Sequence, residues 1–213
     1  MPEAHRGLAY EAILFDFDGV LADTEPLHWE AWRDAVAPLG INLTWEVYRT
    51  QMIGVSDRDV VAFLARMAQP PLPTETIWNR FADKQRLFLE KALANPPLPP
   101  ANSELLRQLD SLKLALVTST SIREIEPLLR AAGILQRFHT IVAAEDVQHP
   151  KPHPEPYLLA ARRLGARRAL AVEDSEAGEA AARAAGLDVL RVGSAVELPS
   201  ALSRRLGRGW GNE

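Results

Sequence analysis

The sequence predicts an α/β fold in which a parallel sheet flanked by helices carries an α-helical unit inserted after its first strand. Three observations carry that expectation. Short apolar runs alternate with amphipathic segments from about residue 103 onward, the pattern of a parallel sheet with helices on both faces. Residues 24–94, by contrast, show helical spacing of apolar positions and no convincing strand. Two of the apolar runs end in paired acids, Asp16-Phe17-Asp18 and Glu173-Asp174, at the strand edge where open parallel sheets bind ligands.

Ala12 to Phe15 is the first strand, and Gly19 allows the backbone to turn sharply beside the two carboxylates that end it. Thr24 is placed to cap a helix running to about Leu39 and stopped by Gly40. Trp32, Ala35, Val36 and Leu39 form its apolar face, with His28 one turn before Trp32. Thr44 can cap a short second helix, and Ser56 with Asp59 resembles a capping box for a third through Val60, Phe63, Leu64 and Met67. After the break at Pro70-Pro71-Leu72-Pro73, Thr74 opens one long helix to about Leu93, with Ile77, Trp78, Phe81, Leu87 and Phe88 inward. Asn95 to Pro100 reads as a stiff return linker, because consecutive prolines favour an extended backbone.

The remainder gives helices near 103–110, 121–132, 156–164 and 177–185, and strands at 114–118, 140–143, 169–173 and 189–192. Ser121 and Glu124 look like a capping box, yet Pro127 follows so soon that this helix is expected to start later or to kink. Gly207 to Glu213, with Trp210, reads as a frayed end. The expected units are therefore 1–23 with 95–213, holding the sheet, and 24–94, holding the inserted helices.

Composition narrows the function. With 213 residues, 47% hydrophobic and 24% charged, the chain has enough material for a real core and reads as a soluble globular protein. A net charge of −4 offers no basic excess for nucleic acid or an anionic membrane. Cysteine is absent, which excludes disulfides, thiolate chemistry and cysteine-zinc sites. The five histidines, His5, His28, His139, His149 and His153, form no helical His-x-x-x-His zinc pair. No run is long enough to span a membrane and the first residues have no signal-peptide core, so a cytoplasmic location is expected.

Two acidic strand ends in one chain suggest a site for a hard cation, since Mg²⁺ takes oxygen ligands and pairs carboxylates with phosphate. Four separated motifs extend the pattern over most of the chain: Asp16-Phe-Asp18-Gly-Val-Leu-Ala-Asp-Thr24-Glu-Pro-Leu-His28, Leu116-Val117-Thr118-Ser119, Lys151-Pro-His-Pro-Glu-Pro-Tyr157, and Val172-Glu173-Asp174-Ser175 with Gly178. Together they resemble the haloacid dehalogenase-like phosphohydrolases, in the branch of β-phosphoglucomutase and the small sugar-phosphate phosphatases. The resemblance implies a Rossmann-like core and makes residues 24–94 the helical cap that closes over the active site.

It further implies that Asp16 is the nucleophile, forming an aspartyl-phosphate, and that Asp18 is the general acid and base. Dehalogenases of the family lack that second acid, so its presence favours phosphoryl transfer. Mg²⁺ would be held by Asp16, the Asp18 backbone carbonyl and Asp174, with Glu173 behind them or as an alternative ligand. Thr118 ends its strand in a hydroxyl placed for a phosphoryl oxygen, the Ser119 N–H is a further donor, and Lys151 adds a point charge in a proline-fixed setting. Thr24 and His28 match positions used around the acid/base and the cap hinge, although His28 can equally pack beside Trp32. Arg58 lies in the cap loop that supplies a phosphate-binding arginine in the mutase. Aligned without a gap, Asp57 occupies the arginine's position and would repel a second phosphate.

The expected activity is therefore Mg²⁺-dependent hydrolysis of a small phosphomonoester, a sugar or polyol phosphate, by a monomer or weak homo-oligomer. An intramolecular phosphotransferase of the β-phosphoglucomutase kind is the alternative, and a non-catalytic binding module is disfavoured because binding alone does not need Asp18.

Overall fold

The apolar run Ala-Ile-Leu-Phe forms β1 (Ala12–Phe15), every residue of which is fully buried. In this computed structural model, which describes residues 10–207, β1 is the middle of a five-stranded parallel sheet. Its companions are β2 (Lys113–Val117), β3 (Thr140–Val142), β4 (Ala169–Glu173) and β5 (Asp188–Arg191), in the order β3-β2-β1-β4-β5. In register, Phe15 stands beside Leu116 of β2 and Val172 of β4. The C-terminal ends of the three central strands therefore lie side by side.

Alternation along the strands divides the core in two. Ile13, Phe15, Leu114, Leu116, Leu170 and Val172 face one side and pack on α6 (Pro100–Gln108), α7 (Ile122–Ala131) and α10 (Leu198–Leu206). Leu14, Ala115, Val117 and Ala171 face the other side, against Tyr157 and Ala160 of α8 (Glu155–Leu164) and Ala181 and Ala182 of α9 (Glu176–Ala184). Burying each such Leu, Val or Phe contributes roughly 1.5–3 kcal/mol, so both faces of the sheet need their helices.

The inserted unit comprises α1 (Glu25–Val36), α2 (Trp45–Gln51), α3 (Asp57–Met67), α4 (Thr74–Trp78) and α5 (Phe81–Ala94). It has its own core around Trp32, Tyr48, Leu64 and Ile77. Ala31 of α1 and Phe88 and Ala92 of α5 instead join the core of the sheet unit. The two units share these helices as a packed joint.

Several expectations need correction. The long helix from Thr74 is two helices, because Asn79 and Arg80 close the last turn of α4 onto Glu75 and Ile77. That break sends Ile77 into the inserted core and Phe88 and Ala92 toward the sheet, while Trp78 stays 47% exposed, stacked on Phe81. Pro127 is held inside a helix that starts right after Ser121; the residue whose carbonyl it leaves unmatched, Arg123, is exposed. Ser121 caps that helix through the Arg123 N–H, but Glu124 makes no capping box and turns into the interior. Helix α10 had no counterpart in the expected elements. Trp210 and His5 lie outside the described residues. Among the described residues, no helix is long and apolar enough to cross a membrane.

Candidate active site

Asp16 follows β1 directly and keeps the sheet pairing, its N–H donating to the Val172 carbonyl at 3.0 Å. The chain then folds back on itself: Leu21 and Ala22 both donate to the Phe17 carbonyl, and Gly19 donates to Ala22. Gly19 has a φ of +75°, and a Cβ there would stand 2.0 Å from Asp174 Oδ2. Only glycine fits, so this turn brings the loop after β1 against the acid after β4.

Lys151 ties three strand ends together. Its ammonium donates to Asp16 Oδ1 at 3.0 Å, to the Val117 carbonyl at 2.9 Å and to Glu173 Oε1 at 2.6 Å. Glu173 is fully buried and also accepts from Tyr157 Oη, Ser175 Oγ and the Asp174 N–H. A Cβ on Gly178 would stand 2.0 Å from this carboxylate. Glu173 therefore acts mainly as the anchor of Lys151. Burial opposes the lysine's charge, but Asp16 and Glu173 outweigh it and hold the ammonium above its ordinary pKa.

Asp16, Glu173 and Asp174 each present a carboxylate oxygen within 4.8 Å of the others. Burial raises the Asp16 carboxyl well above its usual range; Lys151 opposes this, and the charges of Glu173, Asp18 and Asp174 add to it. Asp174 is pushed up to about 7 by burial and then by Glu173, Asp18 and Glu25. A carboxylate cluster with one ammonium is short of positive charge, and its donor set is all oxygen. These residues fit a magnesium-type cation.

Asp18 lives in a different setting, with its side chain turned away from that cluster. Thr24 Oγ1 donates to Oδ1, where His28 Nε2 also lies at 3.3 Å, while Thr120 Oγ1 donates to Oδ2 at 2.7 Å and Thr118 Oγ1 at 3.3 Å. Burial would raise this carboxyl, but His28, Thr24 and Thr120 together hold it below the ordinary carboxylate range. Thr24 precedes α1 without capping it, because its hydroxyl is given to Asp18. His28 combines both readings, reaching Asp18 while its ring stacks on Phe88 at 4.1 Å.

The acids open into a cleft of about 90 Å³ between the sheet and the inserted helices. Ser119 and Thr120 line it, whereas the Thr118 hydroxyl is buried against Asp18 and accepts from the Thr120 N–H. On the helical wall stand Glu25, Tyr48, Asp57 and Lys84. Arg58 is exposed and is not part of the lining; Asp57 faces in instead. Lys84, fully buried, donates to Glu124 of α7 at 2.7 Å, and Tyr48 Oη donates to Glu25 at 2.6 Å.

Sequence reasoning missed Thr120, Glu25, Tyr48, Lys84 and Glu124. The run Thr118-Ser-Thr-Ser121 was a usable signal for Thr120; the others meet only in three dimensions.

The model of the haloacid dehalogenase-like hydrolases matches residues 10–186. The chain belongs to that family. It is 35% identical over 181 residues to a phosphorylated carbohydrates phosphatase of Thermotoga maritima, covering 84% of this chain and 82% of that one. It is 30% identical over 199 residues to the fructose-1-phosphate phosphatase YqaB of Escherichia coli, covering 86% and 96%. Among solved structures, CbbY from Rhodobacter sphaeroides in complex with phosphate superposes with a TM-score of 0.72 at 35% identity, covering 84% of each chain. This HAD-like hydrolase thus shares fold and sequence with enzymes that act on phosphorylated carbohydrates.

Proposed function

We propose that this HAD-like hydrolase is a Mg²⁺-dependent phosphatase of sugar or polyol monophosphates that works through an aspartyl-phosphate on Asp16. The observation that carries the reading is the contrast between two carboxylates two residues apart. Asp16 sits with Lys151 in an acid cluster, and Asp18 sits apart among three hydroxyls and an imidazole.

Asp16 and Asp174 would hold the ion with the Asp18 backbone carbonyl, and Glu173 would stand behind them. Bound there, Mg²⁺ neutralises phosphoryl charge and orients the group for in-line attack. A carboxylate oxygen of Asp16 attacks phosphorus, the ester P–O bond breaks, and the leaving oxygen takes a proton from Asp18. Asp18, now ionised, takes a proton from water, which attacks the acyl phosphate and releases inorganic phosphate. Without substrate Asp18 is ionised; an incoming phosphate anion raises its pKa and supplies the condition for protonation. Thr24, Thr118, Thr120 and His28 orient it, while Lys151, Ser119 and Thr120 face the phosphoryl oxygens.

Residues 24–94 serve as a cap on a core of 1–23 and 95–213, closing on substrate and excluding water. Glu25 and Asp57 on the cap wall accept hydrogen bonds from substrate hydroxyls and repel a second anionic group. That repulsion disfavours the phosphoglucomutase alternative, in which a sugar hydroxyl replaces water.

The test is phosphate release from a panel of sugar, polyol and nucleotide monophosphates with Mg²⁺, beside Asp16→Asn, with and without a hexose 1,6-bisphosphate. Release that needs both Mg²⁺ and Asp16 is expected. Hexose-phosphate interconversion that requires the bisphosphate, without phosphate release, would replace the reading by the mutase.

A further inference from the structure

The loop that delivers Lys151 carries a second cluster of donor groups on its outer side. Its sequence is His149-Pro150-Lys151-Pro152-His153-Pro154-Glu155, with a proline at every other position. His149 and His153 are four residues apart, but they precede α8 rather than lie on it, so a search for helical zinc pairs passes over them. Their rings stand 4.7 Å apart and are tilted by 35°. One ligand atom from each of His149, His153 and Glu155 lies within 4.8 Å of the other two.

The three groups are held in place by the backbone. Glu155 accepts the N–H of Gln148 at 2.9 Å through Oε1 and that of His149 at 3.0 Å through Oε2. The same Oε2 lies 2.8 Å from His149 Nδ1, and the Glu155 N–H donates to His153 Nδ1 at 3.2 Å. The prolines fix φ between the donors, so little chain entropy is left to lose on gathering them. Two imidazoles and one carboxylate are the donor set of zinc and its neighbours, not of magnesium, which keeps to oxygen. The His149 side chain is 63% exposed, leaving room for a water on an open coordination position.

We propose that His149, His153 and Glu155 bind one zinc-class dication, separate from the acid cluster, and that the ion braces the Lys151 loop from its solvent side. His153 ligates through Nδ1 by giving up the Glu155 N–H, and His149 through Nδ1 by giving up its proton to solvent. The ion then joins residues 149 and 155 across the lysine whose ammonium reaches Asp16 on the inner side.

Zinc titrated into the full chain in excess Mg²⁺, followed by calorimetry and by thermal melting, tests this. Wild type and Asp174→Asn are expected to take up one equivalent and to gain melting temperature. His149→Gln/His153→Gln is expected to lose that gain and to weaken zinc by more than about tenfold, since even outer partners of a metal site are worth 10- to 100-fold. Uptake unchanged in the double histidine variant, uptake lost in Asp174→Asn, or no uptake by wild type would each overturn the proposal.

Discussion

On the sheet side of the cleft each charged group is tied to a partner from another strand end, whereas on the cap side the charges come off separate helices and face a shared space. Lys151 alone joins the ends of β1, β2 and β4. Asp18 receives hydroxyls from both sides of the sheet-cap boundary, Thr24 on one and Thr118 and Thr120 on the other. Across the cleft, Glu25 is paired with Tyr48 of α2 and Lys84 with Glu124 of α7, and Asp57 begins α3. The sheet wall fixes geometry to the accuracy a chemical step needs. The cap wall sets charge and shape, which can vary with substrate while the chemistry stays the same.

If this contrast is right, substitutions on the sheet wall abolish turnover and those on the cap wall redirect it. Asp16→Asn should have the largest effect, a loss of at least about 10⁴-fold in kcat for the best monophosphate, read by phosphate release. Asp18→Asn should cost about 10²- to 10⁴-fold while phosphate-analogue binding, measured by calorimetry, survives. Thr120→Val removes one hydrogen bond to a charged carboxylate, a loss of roughly tenfold or more. Because Thr120 helps to lower the Asp18 pKa, its removal should also move the acidic limb of the pH profile to higher pH.

Asp57→Arg should change kcat/KM for monophosphates by less than about tenfold, the scale of one exposed charge contact, and should improve recognition of sugar bisphosphates. A collapse in monophosphate turnover would show that the cap wall takes part in the chemistry and would erase the contrast.

Metal removal gives a subtler reading. The Asp174 carboxyl has a folded-state pKa of about 7, above its ordinary value, so folding takes up a proton between those limits. Its contribution to stability is present at low pH and lost as pH rises through about 7. Added Mg²⁺ should therefore raise the melting temperature more at pH 8 than at pH 5. An equal gain at both would mean that the ion does not sit among these acids.

The same contrast governs what the sequence revealed. The strands and the acids Asp16, Asp18, Glu173 and Asp174 were legible because each strand is an unbroken apolar run and each acid pair follows one directly. Glu124 was misread because the only local signal, Ser121 three residues earlier, suggested a cap, while its true partner Lys84 is 40 residues away. Glu25 and Tyr48 meet across two helices for the same reason. Arg58 and Asp57 show the cost of a one-residue shift, which turns a helical position by about 100° and decides which side chain enters the cleft. The split between α4 and α5 carries no proline or glycine to announce it. It is set by two cores that pull on neighbouring turns.

The most direct test of the account is to look for the phosphoryl group on Asp16. Asp18→Asn, which should slow hydrolysis of the acyl phosphate, is mixed with the best monophosphate and Mg²⁺, quenched in acid, digested and analysed by mass spectrometry. The account predicts one phosphoryl group on the peptide that carries Asp16, absent when Asp16 is also replaced by Asn. Efficient turnover by wild type with inorganic phosphate formed and no phosphoryl group trapped on that peptide, in the variant or in rapidly quenched wild type, would contradict it.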